Sequence, residues 1–541
     1  MTAKNILFSV VALAGVSAHA QDLNSEITVK HEIVPEERAA ARMHFMPSVT
    51  LPSVKPGRLA AASNFAPGEL TPYVYQLEAA PYASTLRKTP YKGYAVIGYG
   101  PIYNLAASAG YRFVDRDSLQ AAAYLQFDGS SYKTRYPGLP VHYDGKVSLR
   151  RNTGLVGANT AWQSRAGRLT AELMYQFSDY NFPILDLQTL LTDGNHIRAN
   201  VAHAGAGWGA TASNIDYKVN ATYDMVLFGS GLADNYKGTV AGGLAWHATA
   251  VSAWALDLGF SLDHSAPVGN KGVLHILPAY KLTTRRFSGS FGVDVDVCAG
   301  NVPTSRRVLV SPDLNLTWLP SAFFNMWLKM NGRIDDNYRG RLYDEQPYLL
   351  PGFDAAYSRI YNGTIGLTVG PWRGASLSLF GGYTTAYDWL MPAVKTGAMS
   401  PVDIKGFHGG LSAAYDYRRY LSLNVKAELA QSPDGDYTKG YALWRDHARF
   451  SLSCSAAVRP IEPLEITVGY RLRTGRQKTL GNGRNLDLLA VNNLTAGVNY
   501  RITPRWSAFL RGDNLMNRKW YLGPSVPCQG ITGMIGASYK F

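Results

Sequence analysis

Ile531-Thr532-Gly533-Met534-Ile535-Gly536-Ala537-Ser538-Tyr539-Lys540-Phe541, the last stretch of the chain, decides how the rest is read. Side chains of a strand alternate between its two faces. Ile531, Ile535, Ala537, Tyr539 and Phe541 therefore share one face, and Thr532, Met534, Ser538 and Lys540 share the other. A strand that closes on an aromatic, with nothing polar after it, fits a sheet whose outer face meets lipid and whose inner face meets water. Tyr539 and Phe541 are read as the membrane-assembly end of that strand.

The same alternation recurs upstream. Residues 215–225 set Ile215, Tyr217, Val219, Ala221, Tyr223 and Met225 against Asp216, Lys218, Asn220, Thr222 and Asp224. Residues 421–429 set Leu421, Leu423, Val425, Ala427 and Leu429 against Ser422, Asn424, Lys426 and Glu428. Residues 464–473 repeat the pattern, with Arg471 and Arg473 on the polar side. Alternating segments of this length, separated by turns, are the sequence form of a transmembrane barrel. Counted over residues 92–541, they predict an all-β, antiparallel transmembrane β-barrel of about 22 strands. Tight connections at Asp115-Arg116, Ser213-Asn214, Arg373-Gly374 and Pro504 alternate with longer ones at 129–143, 179–195, 336–357, 389–405 and 516–529. Short turns on one rim and long loops on the other place the turns in the periplasm and the loops outside the cell.

Residues 1–20 read as a signal peptide: Lys4, an apolar run over 6–16, and Ala18-His19-Ala20 before Gln21. Export, together with the absence of any later 18-residue apolar run, points to the bacterial outer membrane. Export also argues against nucleic acid as the reason for the net charge of +14. Outer-membrane lipid and lipopolysaccharide, or an acidic ligand, fit better. Three cysteines (Cys298, Cys454, Cys528) cannot all pair within the chain and make no disulfide framework.

The expectation is a protein that is not an enzyme and that needs no cofactor or metal. His196, His203, His247 and His264 fall in or beside strands and read as lumen or interface residues. Asp335-Asp336 with Asp344-Glu345, and Asp434-Gly435-Asp436, read as solvated loop carboxylates rather than a calcium site. Lys218, Lys426, Glu428, Arg471, Arg473 and Arg511 are lumen candidates. The loop 336–357 carries Tyr338, Arg339, Arg341, Tyr343, Tyr348 and Phe353. Aromatics with arginines suit a ligand or partner surface. Self-packing of the loop over the lumen mouth is the other reading.

Asp513-Asn514-Leu515-Met516-Asn517-Arg518-Lys519-Trp520-Tyr521, followed by Gly523-Pro524, Pro527, Gly530 and the terminal Tyr539-Lys540-Phe541, resembles the C-terminal signature of TonB-dependent outer-membrane receptors of the Bacteroidota type. Trp520 stands where the family usually has Tyr. The resemblance implies uptake or passage of a ligand, insertion by the barrel-assembly machinery, and TonB as a partner. Glu26-Ile27-Thr28-Val29 resembles the short box through which such receptors meet TonB. The family also carries a folded N-terminal plug. Residues 21–91, with Pro35, Pro47, Pro52, Pro56, Pro67, Pro72, Pro81 and Pro90, instead predict an extended segment in the lumen or periplasm. A barrel without a full plug leaves an alternative: a non-transporting scaffold that binds an envelope protein or lipoprotein.

Overall fold

The computed structural model describes residues 91–134, 147–181, 196–229, 234–265, 269–300, 307–341, 357–392, 399–431, 448–479, 485–487, 489–523 and 526–541. The signal peptide, the Pro-rich segment and Glu26, Ile27, Thr28 and Val29 lie outside the described residues. So do Tyr343, Tyr348, Phe353, Asp344 and Glu345.

One antiparallel sheet of 22 strands runs through the described chain. Its first strand, Gly93–Gly100, pairs with the second, Asn104–Asp115, and also with the last, Thr532–Lys540. The sheet is thus a closed barrel, and closure removes the free edges that an open sheet would offer to other chains. Two small ribbons, Gln477–Thr479 with Asn485–Asp487 and Tyr521–Gly523 with Val526–Pro527, sit in connections outside the main sheet.

The alternation read from the sequence sorts onto the two faces of the wall. Val219, Phe260, Leu429, Val468 and Ile535 are among the large apolar side chains left exposed on the outer face, Ile535 at 67%. Soluble proteins rarely expose a contiguous apolar surface of this extent, whereas lipid requires one. The intervening residues carry the charge and face the lumen.

Turns follow the handedness of the sheet. Ser213 and Arg373, with φ of 57° and 49°, take the left-handed conformation that tight hairpins demand. At the seam, Lys92 and Gly93 donate to the Phe541 carbonyl at 2.7 and 2.8 Å, and Phe541 donates back to the Gly93 carbonyl at 3.0 Å. The Phe541 ring stacks on Tyr111 and Tyr539. A Cβ at residue 93 would come within 2.6 Å of that ring, so a side chain there would push the ring out of its stack.

The segment that carried the family resemblance has a structural job. Asn514, fully buried, takes φ of 49° and donates through its amide to the carbonyls of Arg518 and Gln529 at 2.8 and 2.9 Å. Its side-chain oxygen accepts the Arg518 N–H at 2.9 Å. Trp520 is buried with Val491 and Cys528. Burial pushes the Cys528 thiol up to about 11.

Several strands run further than the alternation suggests. Leu119–Thr134 and the pair Ala375–Pro392 and Met399–Tyr417 extend well into stretches read as loop. Beyond the bilayer both faces are wet, so the apolar/polar period fades while the backbone ladder continues.

Candidate functional site

The wall opens at one place to admit part of itself. Strand Phe324–Asp335 pairs with its predecessor Val308–Ser321 only as far as Leu314↔Met330. Its pairing with the following strand, Ser358–Trp372, continues to Asp335↔Ser358. Only the seam to the preceding strand opens: the upper end of the hairpin stays laddered to the strand after it as far as Arg359↔Tyr387, while residues 332–335 cross over the inner surface of the strands before it. Gly332 crosses over Ser311 so closely that a Cβ would come within 2.5 Å of the Ser311 Cβ and Oγ. Ile334 donates its N–H to Asp296 Oδ2 at 2.5 Å. Ile334 and Tyr357 pack with Val273, Cys298 and Leu309 in a buried apolar cluster. The Tyr357 hydroxyl lies 2.6 Å from the Ala299 carbonyl and 3.0 Å from that of Gly272. Burial pushes this hydroxyl above its ordinary value, so it remains a donor.

Residues 336–341 carry the arm onward. Asp336 pairs with Lys237 at 2.6 Å, and its carbonyl accepts from Lys271. Lys271 in turn pairs with Asp263 at 3.0 Å, and Asn235 donates to Asp263. The Arg339 N–H donates to Asn235 Oδ1 at 3.0 Å. Tyr338 completes a second buried cluster with Tyr180, Ile197, Ala199, Val201, Val226 and Phe228, on strands further along the wall from Asn235 and Lys237. Asn337 makes the sharp bend, at φ of 49°, and its amide donates to Ser358 Oγ at 2.9 Å. Arg341 closes back on Asp335 at 2.6 Å.

These contacts correct one expectation. Asp335 and Asp336 are not solvated carboxylates; they are 4% and 7% exposed and sit in ion pairs. Burial alone would raise the Asp336 carboxyl, but the ammonium groups of Lys237 and Lys271 outweigh it and hold the group below its ordinary value. Tyr338 and Arg339, expected in a loop that meets ligand or covers the mouth, are buried against the inner wall, and Arg341 is partly buried beside them.

The lumen candidates lie on the face opposite the exposed apolar side chains. Lys218 pairs with Asp257 at 3.2 Å and Lys426 with Glu428 at 2.8 Å. Arg471 stands across from Ser453 and Asn493 in the ladder, and Arg473 is buried near Val491. Arg511 lies over the Phe509 ring at 4.8 Å. Tyr539 faces Ala95 and Trp506 across the closing strand pairs. His203 lies between Asp224 at 2.6 Å and Glu172 at 3.2 Å, and His247 meets Asp216 at 2.6 Å. His264 meets Asn270 at 2.7 Å, and His196 lies 3.8 Å from Asp179.

Sequence reasoning missed a further group: His275, Asp294 and Asp296 converge on the inner wall beneath the arm. They lie on adjacent strands, with His275 directly opposite Asp296. The only advance signal was Asp294-Val295-Asp296, two carboxylates on one strand face.

No protein-family model matches the sequence, and comparison with curated proteins finds no relative. Solved structures do match in fold. The FrpB iron transporter from Neisseria meningitidis (F3-3 variant) aligns over 84% of this chain and 82% of its own, at 12% identity and a TM-score of 0.65. The siderophore receptor PirA from Acinetobacter baumannii aligns over 84% and 81%, at 10% identity and a TM-score of 0.66. The ferric enterobactin receptor PfeA from Pseudomonas aeruginosa, as a double mutant, aligns over 84% and 81%, at 11% identity and a TM-score of 0.64. At such identities the likeness is one of architecture: in fold, this chain is similar to outer-membrane iron and siderophore receptors.

Proposed function

We propose that this chain is an outer-membrane barrel of the TonB-dependent-receptor type that takes part in uptake or passage of a ligand. The observation that carries the reading is a closed 22-strand barrel, apolar outside and charged inside, whose own wall sends an arm across the inner surface. A barrel of this width leaves a lumen that wall side chains cannot fill. The arm narrows it, and Lys218, Lys426, Glu428, Arg471, Arg473 and Arg511 supply the wet wall. Tyr343, Tyr348 and Phe353 belong to the same connection and are the aromatic groups assigned here to ligand contact. Glu26-Ile27-Thr28-Val29 is assigned to TonB. Lipopolysaccharide surrounds the outer rim, and the barrel-assembly machinery inserts the chain.

The test is conductance in planar bilayers. The wild-type barrel is compared with a variant in which residues 336–356 are replaced by a Gly-Ser linker. Passage predicts a larger and steadier current in the variant. A variant as silent as the wild type refutes passage; an envelope protein or lipoprotein then co-purifying at a fixed ratio favours the scaffold reading. Deleting residues 26–29 separates the TonB assignment, which falls if uptake is unchanged.

A further inference from the structure

The cluster beneath the arm has more negative charge than its own partners satisfy. His275 Nδ1 lies 2.8 Å from Asp296 Oδ1 and 2.9 Å from Asp294 Oδ1. A ring nitrogen carries at most one hydrogen, so Nδ1 serves at most one of these two carboxylate oxygens at a time. Asp294 Oδ1 is shielded from solvent and, apart from its 2.9 Å approach to His275 Nδ1, accepts no hydrogen bond. Asp294 and Asp296 are 5% and 2% exposed, so neither carboxylate can turn to water for compensation. A third carboxylate, Asp313, is buried on the next strand, two positions along from the residue facing Asp294. His275 remains about one-third open toward the lumen, with its side chain 35% exposed, which leaves an entry path.

We propose that His275, Asp294 and Asp296 form a binding site for a divalent first-row transition cation that braces the inward arm. One imidazole and two carboxylates, with room for water or a further carboxylate, suit Zn²⁺ or Mn²⁺. The three donor atoms lie within 4.8 Å of one another. Ligand bonds of about 2.0–2.2 Å put neighbouring donors roughly 3.0–3.5 Å apart, so the cluster opens by only a few tenths of an ångström to admit the ion. The ion takes the Nδ1 lone pair; any proton on Nδ1 leaves to the lumen water. Asp296 then serves two functions. Oδ1 binds the metal while Oδ2 holds the Ile334 N–H of the arm, so occupancy fixes the carboxylate on which the arm hangs. The site rests on its own geometry and stands whether or not the barrel transports.

The experiment is calorimetric titration of the full-length protein in detergent with Zn²⁺ alone, against Mg²⁺ as control. One saturable Zn²⁺ site per chain in the micromolar range is expected. Asp294→Asn and His275→Ala each weaken it by at least about tenfold, while heat-modifiable migration shows the barrel intact. Cys298→Ser, which removes the nearest thiol, leaves the isotherm unchanged. Three results overturn the proposal: no saturable binding to the wild type below millimolar Zn²⁺, loss of binding in Cys298→Ser, or an unchanged isotherm in a folded Asp294→Asn barrel. The wild-type titration decides even if the variants fail to fold.

Discussion

Replacing Asp336 by Asn tests the arm most directly. The substitution keeps the shape of the side chain and removes its charge. It leaves Lys237, 2.6 Å away, and Lys271 facing the single carboxylate of Asp263. Breaking a buried ion pair from one side costs about 3–5 kcal/mol, because the remaining charge is left uncompensated. Lys237 keeps some solvent contact, at 22% side-chain exposure, and can relax toward water, which favours the lower end, about 3 kcal/mol. At roughly 1.4 kcal/mol per factor of ten, the undocked population rises about a hundredfold. Cys298 reports it. Its side chain lies under Ile334 and Tyr357 at 2% exposure and becomes reachable from the lumen when the arm lifts. In a Cys454→Ser, Cys528→Ser background, the rate of disulfide exchange with an aromatic reagent follows the open fraction. About a hundredfold acceleration is expected. Glu462→Gln, which removes an exposed pair with Arg501, should leave the rate unchanged. If Asp336→Asn and Glu462→Gln label alike, the arm is not held by this network.

Acid should loosen the same contact. The Asp336 carboxyl is depressed in the folded state, so its stabilising effect is complete above the ordinary value of 3.8 and is lost as pH falls from there through the folded value; single-channel conductance should therefore rise on acidification in that window and recover on return to neutrality. Gly332→Val forces a side chain against Ser311 where the arm crosses the wall, costing about 1–3 kcal/mol of overpacking and raising Cys298 exchange about tenfold. On the outer face, Phe260→Lys should lower unfolding stability in lipid vesicles by about 2–4 kcal/mol, whereas Ser261→Lys, pointing into the lumen, should be tolerated; equal effects would contradict the assignment of faces.

The wall was legible because its physics is local. Each strand of residues 215–225 or 421–429 must be apolar toward lipid and polar toward water, and the period of two writes that into adjacent residues. Asn514 and Asn517 stood out only through the family resemblance; the structure supplies the reason, a left-handed bend at each. The arm was not legible, because its partners are remote in sequence. Asp335-Asp336 looks like any solvated loop pair until Lys237 and Lys271 are brought beneath it, from strands separated from it by tens of residues. Likewise His275 gave no sign until the register set it opposite Asp296. Turn-rich, charged stretches record the need for a bend; they do not record what the bend will touch.

Peeling strand Phe324–Asp335 off its neighbour leaves a notch in the rim, above Leu314 and Met330, where one edge of residues 308–313 loses its ladder partner. A cylinder held by unbroken ladders has a fixed girth. At this notch residues 331–335 keep only their ladder to residues 358–362 on the following strand. Each backbone bond regained on zipping contributes about 0.5–1.5 kcal/mol, of the same order as the buried pairs and apolar clusters that the inward position supplies. The seam and the arm therefore draw on one set of residues, 331–335, and the inward position holds only while its buried contacts outweigh the ladder bonds forgone.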